Sequence, residues 1–599
     1  MSRYLVGIDL GTTNTVVYYI DREADESKSL IFDIPQLTEF GEVVESESLP
    51  SFIYLPDSRE IPDNGLDMDW NQSADFCVGD FARKNSTKSP NKVISSAKSW
   101  LCADSVDRLS PILPWNRNDT EKQLSPVESV KRIIAHIKDA WDYKMASDNS
   151  DYNLKEQDVI LTIPASFDAV ARDLTYKAAE QAELNIVLLE EPQSAFYSWL
   201  NEKQDSWRDE ISADDVVLVC DIGGGTTDFS LIKVKDSEGS LELERIAVGS
   251  HILLGGDNMD LTLAYSAAAK FKKDNNFNLD SYQISGLTHA CREAKEVLMA
   301  DPKAEAQKLT VLGRGSSLIG GTITSDLTYD SIKDVLLDGF FPECKLSDKP
   351  KENTKSGFKI FGLNYESDPG ITRHLASFLS KHCEDNGDLP NCILFNGGVT
   401  KSKIIRDKIT ETIQSWLPSE KSEMNILTGN NPDHAVALGA SCYARVREGE
   451  GIRIKAGSPC SYYLGVETSM PAVPGFTPPL QGLCVLPFGT EEGSSLDIDF
   501  HGLGLIVGET TEFRFFASTS KNEDELGSIM DEVNSSDDIS ELSPLAATLP
   551  VTENIMPGSL VPIKLHVDFT ETGTLQVWCI NESNKGKWKL DFELRNDEI

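Results

Sequence analysis

Two short segments carry residue types that could handle a phosphate chain: Asp9-Leu10-Gly11-Thr12-Thr13, and Asp221-Ile222-Gly223-Gly224-Gly225-Thr226-Thr227 some 212 positions later. In each, an aspartate closes an apolar run, YLVGIDL or VVLVCDI, and a Gly/Thr turn leads into a second apolar run. Glycines let a backbone come close to a ligand, and consecutive amide N–H groups in such a turn make a concave anion site. Threonine hydroxyls add donors. An aspartate beside bound phosphates can hold the water shell of the magnesium that accompanies a nucleotide. Taken singly, either segment also reads as a tight structural turn. The pair points to two related half-domains gripping one phosphate chain from opposite sides. No G-x-x-x-x-G-K-[ST] occurs, which excludes a P-loop.

The elements that must position these turns follow from the surrounding pattern. A chain of 599 residues is too long for one compact core, so two or more domains are expected. Up to residue 447, short Val/Ile/Leu-rich runs at 4–10, 13–20, 158–163, 216–221, 228–234 and 392–396 alternate with helical patterns at 169–182, 261–273, 285–299 and 372–381. That alternation predicts an α/β domain over 1–447. Polar stretches at 21–28, 57–74, 113–124 and 344–356, the last three Pro-containing, read as surface loops or insertions. EGEGIRIKAGSP at 448–459 has the composition of an interdomain connector. From Cys460 onward the pattern changes to short strands and turns, which predicts a β-sandwich over 460–599. Within it, 520–541 holds eight acids against Lys521 and reads as a solvated loop.

Composition narrows the partners. With 56 basic and 96 acidic residues the formal net charge is −40, and no basic patch is gathered along the chain. Nucleic acid and anionic lipid surfaces are therefore not expected as partners. The eleven cysteines include no C-x-x-C and no histidine at metal-ligand spacing, a pattern of reduced thiols, and Cys220 reads as a small core residue. The amino terminus lacks the pattern of a signal peptide, and no run approaches 18 apolar residues. A cytoplasmic, soluble protein is the expectation.

The sequence resembles the heat shock protein 70 (DnaK-type) chaperones, whose nucleotide domain has the actin-like ATPase fold, a duplicated ribonuclease H-like α/β architecture. GIDLGTTNT at 7–15 and DIGGGTTDFS at 221–230 look like the family's two phosphate motifs, and EEPQSAF at 190–196 is similar to its connecting motif. GGDNMD at 255–260, FNGGVTK at 395–401 and NPDHAVALGA at 431–440 continue the resemblance in the same order. It implies ATP or ADP with Mg2+ as cofactors. It places Asp9, Asp221 and Asp228 around the magnesium, mostly through water, and Glu191 and Asp221 at the attacking water. Thr226 joins them in the catalytic set, and Lys98 would neutralise the transferring phosphoryl group, with Lys84, Lys88 and Lys92 as nearby alternatives. Thr12, Thr13 and Asn14 would hold the phosphates, and Gly11, Gly223, Gly224, Gly225, Thr226, Thr227, Gly255 and Gly256 would also bind the nucleotide. Arg292, Lys295, Glu296, Gly397, Gly398, Val399, Lys401 and Asp433 would line the adenosine side. There the chain departs from the family: Arg292 stands where an acid is usual, Glu296 where an arginine is usual, and Lys401 replaces an arginine. A carboxylate stacks on a base less well than a guanidinium plane does.

In the connector, Ile452 and Ile454 alternate as in a strand, and a passive tether and a reduced docking strand are both open readings. SPCSYYLGVET at 458–468 resembles the start of the family's peptide-binding sandwich, and no helical stretch after it matches the family's lid. These readings imply an ATP-dependent, chaperone-like protein without a lid. Its slow hydrolysis would control polypeptide binding by the β-domain. The partners so implied are an extended or unfolded polypeptide client, with a J-domain co-chaperone and a nucleotide exchange factor as candidates. Two alternatives stand beside it: a nucleotide-regulated adaptor for one dedicated partner, and a sugar kinase of the same fold. The kinase would need an acceptor pocket with its own general base.

Overall fold

The computed structural model describes residues 2–592, except 25–27, 73, 87, 104–105, 116–121, 238–239, 276–277, 301–302, 305, 313–321, 352–365, 384–388, 419–423, 430, 453, 456, 468–479, 501, 509, 522, 532, 534–538, 549–557, 571–573 and 582–585. Within the sequence-predicted loops and connector, 25–27, 73, 116–121, 352–356, Arg453 and Ala456 lie outside the described residues, as do the last residues of the terminal strand-like run.

Each Gly/Thr turn joins an antiparallel hairpin at the centre of a mixed sheet. In the first lobe β1 (Tyr4–Leu10) and β2 (Asn14–Asp21) pair along their full length. A short β3 (Ser29–Ile31) continues the antiparallel side, while β4 (Asp158–Ile163) and β5 (Val187–Glu190) add in parallel on the other, giving the order β5-β4-β1-β2-β3. The second lobe repeats the plan. β6 (Val216–Ile222) and β7 (Thr227–Ser237) form the hairpin, β8 (Ser240–Val248) continues it, and β9 (Cys392–Asn396) and β10 (Asn425–Leu427) add in parallel. A further strand, β11 (Ile454–Lys455), pairs in parallel with β8 and comes from the connector. Central strands covered on both faces must be apolar throughout, which is why β1 and β6 read as near-continuous hydrophobic runs. Cys220 is fully buried in β6, and all eleven cysteines are free thiols.

Six helices matter for the site: α1 (Ala97–Trp100), α2 (Ala169–Gln181), α3 (Glu191–Lys203), α4 (Gly256–Asn275), α5 (Ser281–Ala300) and α6 (Ala435–Arg447). α2 is capped by the Asp168 carboxylate, which accepts from the Ala171 amide at 2.7 Å. α3 and α6 cross with backbones almost touching, since a Cβ at Gly439 would lie 1.7 Å from the Ser194 carbonyl oxygen. Only glycine permits that approach. α4 begins five residues earlier than the helical pattern suggests, because the Gly-Asp-Asn-Met run forms its first turn rather than a loop.

From Ser461 the chain forms antiparallel strands: β12 (Ser461–Glu467), β13 (Leu480–Leu486), β14 (Ser494–Ile498), β15 (Gly504–Ile506), β16 (Thr510–Ser518), β17 (Ile529–Met530), β18 (Ser540–Thr548), β19 (Leu560–Phe569), β20 (Leu575–Asn581) and β21 (Lys587–Phe592). They run in the order β14-β19-β20-β21-β18-β16-β12-β13-β17, with β15 on β19. Because β21 pairs with both β20 and β18, two sheets share a strand. Tyr462, Leu464 and Phe515 of one meet Leu565, Val567 and Val577 of the other in a single core. The acidic segment 520–541 is not simply a solvated loop. β17 within it pairs with β13, and Val533 is buried against Tyr463, Cys484 and Phe516.

Candidate functional site

The two turns meet at the mouth of a cleft between the lobes. A Cβ built on Gly224 would sit 2.1 Å from Thr13 Oγ1, and one on Gly225 would sit 2.8 Å from a Thr12 methyl, so the second turn needs glycine to approach the first. Thr13 Oγ1 is buried and has no hydrogen-bond partner among the described residues. A buried hydroxyl left unpaired is costly, and an anionic ligand would satisfy it.

The cleft is a cavity of about 1180 Å3. Its polar end is formed by Asp9, Thr12, Thr13, Lys98, Glu191 and Asp221. Lys98, only 4% exposed on the short helix α1, donates to Glu191 at the start of α3. Asp9 Oδ1 accepts from Thr162 Oγ1 at 3.1 Å, and Asp221 Oδ2 accepts from Asn396 Nδ2 at 2.6 Å. Burial first, then the charge of Glu191, pushes the Asp9 carboxyl up to about 7. The same two causes raise Asp221 well above the ordinary carboxylate range, and burial raises Glu191. Carboxylates crowded around one ammonium resist ionising together, and an added cation would relieve them.

Of the other residues singled out in the sequence, Gly11, Asn14, Gly223, Thr226, Gly256, Gly397, Gly398, Val399 and Asp433 also line this cavity. Gly225, Thr227, Asp228 and Gly255 are not on its wall. Thr227 Oγ1 is buried and donates to the Leu254 carbonyl at 2.7 Å, so that hydroxyl serves the hairpin rather than a ligand. Gly255 lies against the carbonyls of Gly223 and Gly224, where a Cβ would come within 2.7 Å of both. Asp228 accepts from Ser166, whose hydroxyl also contacts His251 Nδ1 at 2.9 Å. Sequence reasoning missed Thr162, Ser166, His251 and Asn396. Asn396 had a signal, since it directly precedes the Gly397-Gly398 pair; the others had none.

Arg292, Lys295, Glu296 and Lys401 also line the cavity. Arg292 is held by Asp257 and by Asp260, the latter at 2.8 Å, so it does not pair with Glu296 one turn away. Lys295 Nζ lies 2.7 Å from Asp260, and Lys401 pairs with Asp433.

Directly behind the polar end is a buried ionic cluster. Glu190, which precedes Glu191, accepts from Arg172 at 2.7 Å and pairs with Arg245 of β8; all three are nearly inaccessible. Arg245 also donates to the Gly457 carbonyl of the connector. The amide of Ile454 donates to the Tyr197 hydroxyl on α3 at 2.9 Å, and Ile454 is 3% exposed. The connector is thus a docked strand in this structure, not a free tether. A second tie runs from the β-rich region, where Ser543 of β18 receives a hydrogen bond from Arg108. Arg108 also donates at 3.1 Å to the carbonyl of Leu101, the residue after α1.

A family model described as Hsp70 protein matches residues 68–327. The "Chaperone protein DnaK" of Psychrobacter cryohalolentis is 24% identical over 483 residues, which is 78% of this chain and 62% of that relative. The chain therefore spans less than two thirds of the relative's length. Two lobes of the same sheet plan, facing Gly/Thr turns and these matches converge: the chain is similar to Hsp70 proteins, and its two-lobed α/β region is consistent with the actin-like fold.

Proposed function

We propose that the cleft binds a nucleoside triphosphate with magnesium, hydrolyses it slowly, and through the connector alters how the β-rich region holds an extended polypeptide. The observation that carries the reading is the buried Lys98–Glu191 pair, set beside two facing Gly/Thr turns whose Thr13 hydroxyl lacks a partner.

The residues fit the magnesium such a ligand carries. Asp9, Glu191 and Asp221 are raised by burial and mutual repulsion, as expected where a dication is to be bound. Among the described residues no three acidic, Cys or His groups stand close enough to grip an ion directly. Magnesium dehydrates reluctantly and is commonly held through its own waters, so that geometry suits it. The bound ion would supply charge compensation at the phosphates. Amides of the two turns would hold the phosphate oxygens, Lys98 would sit against the developing charge, and Glu191 would orient the attacking water. Glu191 anchors α3, and α3 carries Tyr197, the partner of the connector amide. A shift of Glu191 on loss of the terminal phosphate would therefore reach Ile454 through one rigid helix.

The test is to measure ATP turnover with and without magnesium, and binding of a labelled extended peptide with ATP and with ADP. Slow, magnesium-dependent hydrolysis with nucleotide-dependent peptide affinity is expected. Peptide binding to one protein only, indifferent to nucleotide, would favour a fixed adaptor instead.

A further inference from the structure

Strand β9 is apolar from Cys392 to Phe395 and then ends in an amide, Asn396, that is 2% exposed. It lies in register with Asp221 of β6, and residues paired across parallel strands present their side chains on the same face of the sheet. Both line the cleft. Asn396 Nδ2 donates to Asp221 Oδ2 at 2.6 Å, while Asp221 Oδ1 accepts no hydrogen bond among the described residues. Asp221 Oδ1 lies over Gly397, where a Cβ would come within 2.6 Å of it. Asn396 and Gly397 thus seat the carboxylate: the amide grips one oxygen, and the missing side chain makes room for the other.

The arrangement is destabilising in itself. Asn396 Oδ1 is buried and has no partner among the described residues. A half-satisfied buried amide weakens a fold, and a β-branched aliphatic residue would end such a strand without that penalty. Nor does the side chain serve the turn that follows, because Thr400 Oγ1 bonds the Asn396 backbone carbonyl, at 2.9 Å. What remains for the amide is Asp221. Resting on the nucleotide reading of the cleft, we propose that Asn396 is a positioning residue for hydrolysis: by fixing Oδ2 it stops the Asp221 carboxylate from rotating and leaves Oδ1 to orient the attacking water beside Glu191.

Asn396→Val and Asn396→Thr in the full chain test this, because the two side chains are nearly equal in shape and only threonine keeps a hydroxyl able to donate to Asp221. Three quantities are measured: ATP turnover, displacement of a fluorescent nucleotide by ATP, and the urea midpoint. Asn396→Val should lower kcat by about tenfold or more, the scale of losing a group that orients a site carboxylate. KM and ATP affinity should stay within about threefold, as for an interaction that matters only in the transition state. The urea midpoint should hold or rise, since the unpaired Oδ1 is gone. Asn396→Thr should recover part of the lost turnover. The proposal falls if Asn396→Val keeps its turnover or if the two variants lose it equally. It falls also if the loss comes with an equal weakening of ATP binding or a lowered urea midpoint, which are the marks of a packing role. Absence of ATP binding and hydrolysis in the unaltered protein would instead sink the nucleotide reading of the cleft.

Discussion

The two lobes share a hairpin, a Gly/Thr turn, an aspartate at the end of the leading strand and two parallel strands beside it, yet they differ at the third antiparallel strand. In the first lobe β3 is three residues long and leaves Leu30 47% exposed. In the second β8 is nine residues long, buries Leu243 completely, and accepts the connector strand through Leu243 and Glu244. A sheet edge is a row of unpaired amides and carbonyls, open to any strand of suitable length. On the proposed reading the shared parts would serve the phosphates, while the unequal edge holds the connector that leads to the β-rich region.

The largest effect should come from breaking the edge of the second lobe. Arg172 and Arg245 share Glu190 in a buried cluster, so Glu190→Gln leaves two desolvated guanidiniums without their counter-charge. Removing one partner of a buried ion pair costs about 3–5 kcal/mol. Urea unfolding should show a loss of that order, and limited proteolysis should cut the connector faster, since Arg245 holds the Gly457 carbonyl. Leu243→Ala, which empties the place where Ile454 packs, should cost about 2–5 kcal/mol. If both variants kept wild-type stability and protease resistance, the edge would not be where the connector is held.

Breaking what the lobes share should act on turnover instead. Asp9→Asn, Asp221→Asn and Lys98→Ala are each expected to lower hydrolysis by more than about tenfold, as when one group stabilising the transition-state charge is removed. Gly224→Ala should do the same by another route, since its methyl would meet Thr13 Oγ1 at 2.1 Å and hold the turns apart. Gly223→Ala is the control. Its nearest neighbour is 3.6 Å away, so most of the activity should survive. Equal loss in the two alanine variants would mean that contact between the turns is not the reason for the glycines.

A smaller effect separates the lobes by pH. His136, on the helix Pro126–Met145 packed against the first lobe, donates Nε2–H to the Pro35 carbonyl at 3.0 Å, and burial lowers its pKa to about 4 from 6.5. Between those values the unfolded chain binds more protons than the folded one, so stability falls as pH drops from about 6.5 to about 4. His136→Gln, which keeps a donor but cannot charge, should flatten that part of the urea-midpoint profile. An unchanged slope would remove His136 as its source.

Much of this plan was legible in the sequence because the local signals agree. β1, β4 and β9 end where short aliphatic runs meet Gly or Pro, and the turns announce themselves by composition. What could not be read is what depends on distance along the chain. Glu190, Arg172 and Arg245 lie 18 and 55 positions apart, and no local pattern says that they share one buried cluster. β8 was hidden because SLELERIAV alternates acids and aliphatics much as an exposed helix face can. The acidic stretch around β17 misled for the opposite reason: its charges describe its solvent side and conceal Val533 and Ile539 on the other.

The smallest predicted effect is the sharpest check on the unequal edges. Leu30 of β3 and Leu243 of β8 are both leucines of corresponding third strands, so any difference between them reflects what covers the strand rather than residue type. Leu30 is 47% exposed and packs on no connector, and truncating it removes little surface already withdrawn from water. Leu30→Ala should change unfolding free energy by no more than about 0.5 kcal/mol, the range of ordinary surface substitutions. It should leave connector proteolysis and nucleotide-dependent peptide binding as they are, while Leu243→Ala disturbs the first and, through β11, the second. A Leu30→Ala loss matching that of Leu243→Ala would show that β3 is also covered in solution, and the asymmetry assigned to the second lobe would then belong to both.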